Sequence, residues 1–115
     1  MISSTSSLYD PASGQWSAIS FTAGTRNDAV ATLLGNGKVM FTGGLVYMPR
    51  PTHTVAWATL YDPLTGAAEA TGPLLIARYG HSATLLQNGQ VLVAGGEEIN
   101  TPGSALLSEA ELYTP

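Results

Sequence analysis

The stretch RNDAVATLLGNGKVMFTGG at residues 26–44 returns as RYGHSATLLQNGQVLVAGG at residues 78–96. The two copies lie 52 residues apart without an insertion, and ten of their 19 positions are identical. The same spacing relates three copies of a shorter motif, which reads LYDP at residues 8–11 and 60–63 and LYTP at residues 112–115. A period of about 50 residues predicts repeated sheet modules rather than paired helices.

Each period carries the signals of four antiparallel strands. Two short apolar runs flank an Asn-Gly pair at residues 36–37 and again at 88–89, and this pattern predicts a tight hairpin because both residue types tolerate positive φ. Residues 91–94 are apolar without alternation, which is typical of a strand buried on both faces. After the third strand, Asp-Pro-x-Ser/Thr-Gly predicts a turn closed by glycine. No segment has the apolar period of a helix, so we expect an all-β, antiparallel fold.

These features together resemble the kelch repeat family, and within it the galactose-oxidase-like bacterial branch. The matching features are the Gly doublets, the Tyr of the LYDP motif, Trp16, and the run Arg-x-x-His-Ser-Ala-Thr-Leu-Leu at residues 78–86. The resemblance implies a β-propeller, in which four-stranded blades surround an axis. With strands named a to d from the axis outward, residues 1–25 supply c and d of an incomplete blade, 26–77 a complete blade, and 78–115 strands a to c of a further blade.

Two and a half blades do not close a ring, since propellers use about four to eight. We therefore expect one partial propeller domain over residues 1–115, completed by the remaining blades of a longer chain or by self-association. Two blades in isolation would leave apolar faces uncovered.

Composition limits the function classes. Four basic and eight acidic residues give a net charge of −4, and scattered basic residues do not form a nucleic-acid surface. The chain has no cysteine, which excludes disulfides, thiolate metal ligands and cysteine nucleophiles. No apolar run is long enough for a membrane helix. The sequence leaves the compartment undetermined, and only the family resemblance implies an extracellular or periplasmic location.

Residues that recur at the repeat spacing are interpreted as structural, and the fourth-strand Trp is grouped with them. We expect the arginines to tie neighbouring blades through carbonyls or a carboxylate, and the tyrosines to pack with their hydroxyls bonded to the backbone. His81, at the start of an innermost strand, is interpreted as structural in the same way. The residues interpreted as structural are Gly43, Gly44, Gly95, Gly96, Tyr9, Tyr61, Tyr113, Trp16, Arg26 and Arg78.

Candidate binding residues lie in the long loops that differ between copies, near residues 45–56 and 97–107, and in the connections near 20–27 and 71–79. Variable loops on a rigid scaffold are where binding usually occurs. The predicted ligand-binding residues are Tyr47, Arg50, His53, Tyr79, Glu97 and Glu98. Glu97 and Glu98 with His53 also form a candidate cation site, although adjacent loop carboxylates are more often simply solvated.

The leading hypothesis is a non-catalytic scaffold without cofactor or metal, which the resemblance implies would bind a protein, peptide or glycan at this loop face. One alternative is a fragment of a galactose-oxidase-like secreted enzyme, whose family uses copper with Tyr and His ligands and a Cys–Tyr crosslink. That crosslink cannot form within a chain that has no cysteine. The other alternative is a purely structural spacer.

Overall fold

The protein is seen in a computed structural model that describes residues 5–20 and 26–115. Over these residues it is entirely β, with antiparallel pairing and no helix, as the sequence predicts. The predicted first partial blade, 1–25, therefore lies partly outside the described residues. In chain order the strands are β1 (Thr5–Asp10), β2 (Gln15–Ser20), β3 (Val30–Leu33), β4 (Val39–Thr42), β5 (Leu45–Val46), β6 (His53–Thr54), β7 (Ala58–Tyr61), β8 (Ala68–Thr71), β9 (Ser82–Leu85), β10 (Val91–Ala94), β11 (Glu97–Glu98), β12 (Ala105–Leu106) and β13 (Ala110–Tyr113).

Two larger sheets dominate the structure. The first has four strands in the order β3-β4-β7-β8, and the second has three in the order β9-β10-β13. Each strand from β9 to β13 begins 52 residues after its counterpart among β3 to β7, so the sequence period is also the structural period. Strands β1 and β2 form a hairpin in which Tyr9 packs against Trp16, with ring centroids 4.9 Å apart and ring planes tilted by 41°. Trp16 remains 68% exposed, so these two residues pack mainly on each other.

The Asn-Gly hairpins differ in detail from the sequence expectation. Only the glycine of each pair has positive φ, 85° at Gly37 and 87° at Gly89. The asparagine side chain instead accepts a hydrogen bond from the backbone two residues later, from Lys38 N to Asn36 Oδ1 at 3.0 Å in the first copy. The turn is thus closed by one left-handed glycine and one side-chain bond.

The core lies between the two sheets. In the first sheet, Thr32, Met40 and Leu60 are cross-strand partners and so share the face turned towards the second sheet. Met40, Val91 and Val93 are fully buried there, and each such side chain contributes about 1.5–3 kcal/mol relative to exposure. The cluster of buried apolar residues is Leu34, Met40, Leu74, Val91 and Val93.

Arg78 holds in place the segment of chain that connects the first sheet to the second. It is fully buried, and its Nη1 donates to the carbonyls of Gly95 and Glu109, both at 2.9 Å. Its Nη2 donates to Glu111 Oε2 at 3.0 Å. The Glu111 carboxylate also accepts from the backbone N–H groups of Leu75 at 2.7 Å and Ile76 at 3.1 Å. A buried charge with its hydrogen bonds satisfied in this way is tolerated, whereas an unpaired one is costly.

The Gly doublets end β4 and β10, and all four glycines have positive φ. A Cβ on Gly43 would clash with the carbonyl oxygen of Arg78, and one on Gly96 would lie 2.6 Å from that of Tyr79. Gly95 is different, because no atom of the described residues lies within 4 Å of its Cβ position. Close backbone approach thus requires glycine at some doublet positions, and φ alone favours it at Gly95.

Tyr113 joins the sheets by a different bond from the one that we expect. Its hydroxyl makes a 2.6 Å hydrogen bond with the hydroxyl of Thr71 on β8, a side-chain partner rather than a backbone one. Tyr61 is buried at the corresponding position of the first sheet.

In the described ranges no helix has the length and apolar character needed to cross a membrane.

Candidate functional site

Two short hairpins extend from the Gly doublets at the same end of the two sheets. Strands β5 and β6 pair through Leu45 and Thr54, and β11 and β12 pair through Glu97 and Leu106. The segment before each sheet's first strand pairs with the base of its hairpin, Asn27 with Leu45 and Tyr79 with Glu97. The two loops predicted as variable therefore have ordered hairpin stems.

The tip of the first hairpin forms an open groove of about 790 Å³. Its walls are Tyr47, Met48, Arg50, Pro51 and Thr52, so the structure places two of the predicted binding residues together in it. Met48 is 69% exposed. An aromatic ring, a thioether and a guanidinium thus meet at one surface.

His53 stands at the base of this tip, on β6. Its Nδ1 lies 3.0 Å from the carbonyl oxygen of Pro51, and a protonated Nδ1 donates to that oxygen. His53 is half-buried and does not line the groove. Its described contact holds the tip in shape.

Tyr79 and Glu97 bind each other. The Tyr79 hydroxyl donates to Glu97 Oε2 at 2.9 Å, and their backbones exchange hydrogen bonds of 3.1 and 2.9 Å. The hydrogen bond to Glu97 is the main cause that raises the pKa of Tyr79, and desolvation adds to it. The phenol therefore stays protonated as a donor at neutral pH.

The Glu98 carboxylate accepts hydrogen bonds from its own hairpin. One carboxylate oxygen accepts from the backbone N–H of Asn100, and the other accepts from the Thr101 hydroxyl at 3.1 Å. Among the described residues, no three His, Asp or Glu side chains lie close enough to hold a metal ion together. Glu97, Glu98 and His53 have separate hydrogen-bond partners, so they do not assemble the candidate cation site.

Asn100 joins the two hairpins, a role that the sequence did not reveal. Its Oδ1 accepts from Thr54 N at 2.8 Å and its Nδ2 donates to Thr54 O at 2.9 Å. Ile99 N adds a 3.4 Å bond to the Thr54 hydroxyl. At the counterpart position in the first copy stands Met48, so the repeat carries no signal for this bridge.

His81 is a link between the sheets. It is buried, and its Nε2 lies 3.0 Å from the hydroxyl of Thr42 on β4. Its Nδ1 has no partner among the residues that the structure describes. Burial first, and then the charge of Arg78, lower its pKa below 6.5, so the ring is neutral at physiological pH.

No family model and no curated protein matches this chain. Among solved structures it is similar to the one described as "Structure of YjhT", with 24% sequence identity and a TM-score of 0.64. The similarity covers 75% of this chain and 25% of that one, so the chain spans about a quarter of that protein's length. At this identity the likeness concerns the fold alone.

Proposed function

We propose that this chain is a non-catalytic binding scaffold built from neighbouring kelch-type propeller blades. Its loop face binds an extended peptide segment of a protein partner. The observation that carries the proposal is the groove at the tip of the first hairpin, which gathers Tyr47, Met48 and Arg50 on a braced support. The 52-residue structural period supports the blade assignment.

The support is rigid because the hairpin is held at three places. Asn27 pairs with Leu45 at the stem, His53 contacts the Pro51 carbonyl beneath the tip, and Asn100 clamps Thr54 from the neighbouring hairpin. A pre-ordered loop loses less conformational entropy when a ligand binds, which raises affinity.

The groove's chemistry favours a peptide. Exposed methionine adapts to differently shaped apolar side chains, and tyrosine supplies a broad contact with a polar tip. Arg50 offers a planar donor fork for a carboxylate. The lining residues include no carboxylate or amide side chain, the groups that usually bind sugar hydroxyls. The preferred ligand is therefore a peptide with an apolar side chain near an acidic one.

Neither histidine is placed as a general base in this groove. His53 contacts a carbonyl with Nδ1, and His81 is buried between the sheets. These placements support a binding role over a hydrolytic one.

The test is selection of a displayed random-peptide library on the immobilised chain, followed by titration of the enriched peptides. We expect apolar-acidic sequences, and we expect Tyr47→Ala and Arg50→Ala each to weaken binding about tenfold or more. Leu64→Ala is the matched control, because Leu64 is 94% exposed in a turn outside the groove.

Equal binding by the two groove variants and the wild type would contradict the proposed site. Binding on a glycan array, without any peptide enrichment, would replace the peptide by a glycan. If neither the peptide selection nor the glycan array detects binding, the alternative of a purely structural spacer is supported.

A further inference from the structure

The two arginines that recur at the repeat spacing carry the same charge but have different partners. Arg78 is fully buried and forms an ion pair with Glu111 at 3.0 Å. Arg26 lies 52 residues earlier, and the counterpart of Glu111 in its repeat is Thr59. The first repeat therefore keeps the cation and has a neutral side chain at the position of the anion.

The described partners of the Arg26 guanidinium are all neutral. Its Nη1 donates to Thr59 Oγ1 at 3.2 Å, and its Nη2 donates to the Phe41 carbonyl at 2.9 Å. The guanidinium carbon lies 5.9 Å from the centroid of the Trp57 ring. A hydroxyl, a carbonyl and an aromatic face each attract a cation, but none of them neutralises its charge.

No acidic side chain of the chain compensates the charge of Arg26. Arg26 forms no ion pair with any of the residues that the structure describes. The remaining segments, residues 1–4 and 21–25, contain neither Asp nor Glu. Burial lowers the pKa of Arg26, whereas a neighbouring carboxylate would raise it. The guanidinium is therefore a partly buried cation without an anionic partner.

The surroundings of each arginine come from its own repeat. The described acceptors of the Arg78 guanidinium all lie outside the first sheet, at Ile76, Gly95, Glu109 and Glu111. The described partners of Arg26 likewise lie within residues 41–59 of its own repeat. The missing carboxylate is thus a feature of the first repeat itself and does not depend on a neighbouring blade.

The Arg26 guanidinium has donors to spare and can be reached from the solvent. A guanidinium has five N–H donors, and two of these have acceptors among the described residues. Its Nε is buried without a described partner. Arg26 as a whole is half-buried, and the adjacent Trp57 is 41% exposed. Partial shielding from water strengthens the attraction between a cation and an anion that binds to it.

We propose that Arg26 binds a small carboxylate anion, which supplies the charge that Glu111 supplies in the second repeat. A carboxylate is the ligand class because its two oxygens match the N–H fork of a guanidinium. The second repeat already pairs its arginine with this group. The site uses none of the residues that line the peptide groove, so it is independent of the proposed function.

The test is a titration of the full chain with sodium formate, the smallest carboxylate, followed by NMR of the arginine side chains. The chain has three arginines and therefore three Nε–Hε signals, which the variants Arg26→Lys and Arg50→Lys assign. We expect the Arg26 signal to shift along a saturating curve. Half-saturation should not be tighter than about 1 mM, because so small a ligand has few atoms with which to bind.

The other two arginines are controls within the same sample. The Arg78 signal should hardly move, because the Glu111 carboxylate already occupies its donors. Arg50 is exposed, so water screens its charge and its signal should shift weakly and without saturation. A parallel titration with sodium chloride measures the effect of an anion that has no pair of oxygens.

The variants Thr59→Glu and Thr59→Val test the place of the anion. Thr59→Glu brings a carboxylate of the chain beside Arg26 and should weaken formate binding about tenfold or more. Thr59→Val has the shape of threonine without its hydroxyl and should still bind formate. Formate should also raise the melting temperature of the wild type more than chloride does, and this difference should vanish in Thr59→Glu.

Three results would each overturn the proposal. The first is an Arg26 signal that shifts without saturation, as we expect for Arg50. The second is a saturating shift of equal size and affinity with chloride. The third is a Thr59→Glu chain that has the wild-type circular dichroism spectrum and still binds formate as tightly as the wild type.

Discussion

Arg26 Nη1 donates to Thr59 Oγ1 at 3.2 Å, at the two repeat positions where Arg78 meets Glu111 in the second copy. Arg26 Nη2 also donates to the Phe41 carbonyl at 2.9 Å. The first copy therefore keeps the arginine but replaces the carboxylate by a hydroxyl. Arg26 Nε is buried without a partner among the described residues, and burial lowers the pKa of the guanidinium.

Thr59→Glu is expected to stabilise the protein, because it restores the carboxylate that the second copy uses. A hydrogen bond to a charged group contributes about 1.5–3 kcal/mol and a larger buried side chain costs about 1–3 kcal/mol, so the net gain is at most about 2 kcal/mol. Urea unfolding measures it. Thr59→Gln, which matches the volume without the charge, should gain less; equal stability of the two variants would contradict this account.

Glu111→Gln is expected to destabilise strongly, because it leaves Arg78 buried and charged without its carboxylate. Breaking a buried pair from one side costs about 3–5 kcal/mol. The matched control is Glu109→Gln, since Glu109 is exposed and binds Arg78 only through its backbone carbonyl. A similar unfolding midpoint for both variants would show that the ion pair does not hold the connection.

The variants Gly96→Ala and Gly103→Ala distinguish two reasons for a glycine: a clash of the added Cβ with a neighbouring carbonyl, and the strain of a positive φ. Both glycines have a φ of 91°, but only Gly96 has an atom within 4 Å of its Cβ position among the described residues. Positive φ costs each alanine about 1 kcal/mol, and the clash with the Tyr79 carbonyl should add about 2 kcal/mol or more at Gly96. Thermal melts compare them, and identical melting temperatures would refute the close-approach explanation.

His81 should make stability pH-dependent. Because its folded pKa lies below the ordinary value of 6.5, the unfolded chain binds the proton more readily. Its contribution is therefore complete above pH 6.5 and is lost as the pH falls from there towards the folded pKa. Unfolding free energies measured through this range should fall less steeply for His81→Asn than for the wild type. A variant with the wild-type slope would assign the pH dependence to other groups.

The repeat predicted the fold well because strands, turns and glycines recur. Strand β10 follows β4 by 52 residues, and a glycine doublet ends each. The Arg78 guanidinium binds carbonyls and a carboxylate, but the acceptors Gly95, Glu109 and Glu111 belong to its own repeat and not to the neighbouring sheet, where we expected them. Such positions are repeated because every sheet meets the same packing and backbone constraints.

The site was harder to predict because its contacts occur once. The Asn100 bridge has no counterpart in the first copy, and Tyr79 binds Glu97 where the first copy has Asn27 and Leu45. The sequence did not indicate that Glu97, Glu98 and His53 would have separate hydrogen-bond partners. Those partners depend on the geometry of loops that differ between the two copies, so the 52-residue repeat does not predict them.

The hydrogen bonds between Asn100 and Thr54 bear on how the amino-acid sequence of the groove can vary. The Asn100 side chain binds the backbone N–H and carbonyl of Thr54. Every residue type except proline has both of these backbone groups. These two bonds therefore do not depend on the side chains of residues 47–52. Residues 47–52 can be exchanged for other sequences while their mounting stays fixed, which makes this tip a natural position for new specificity.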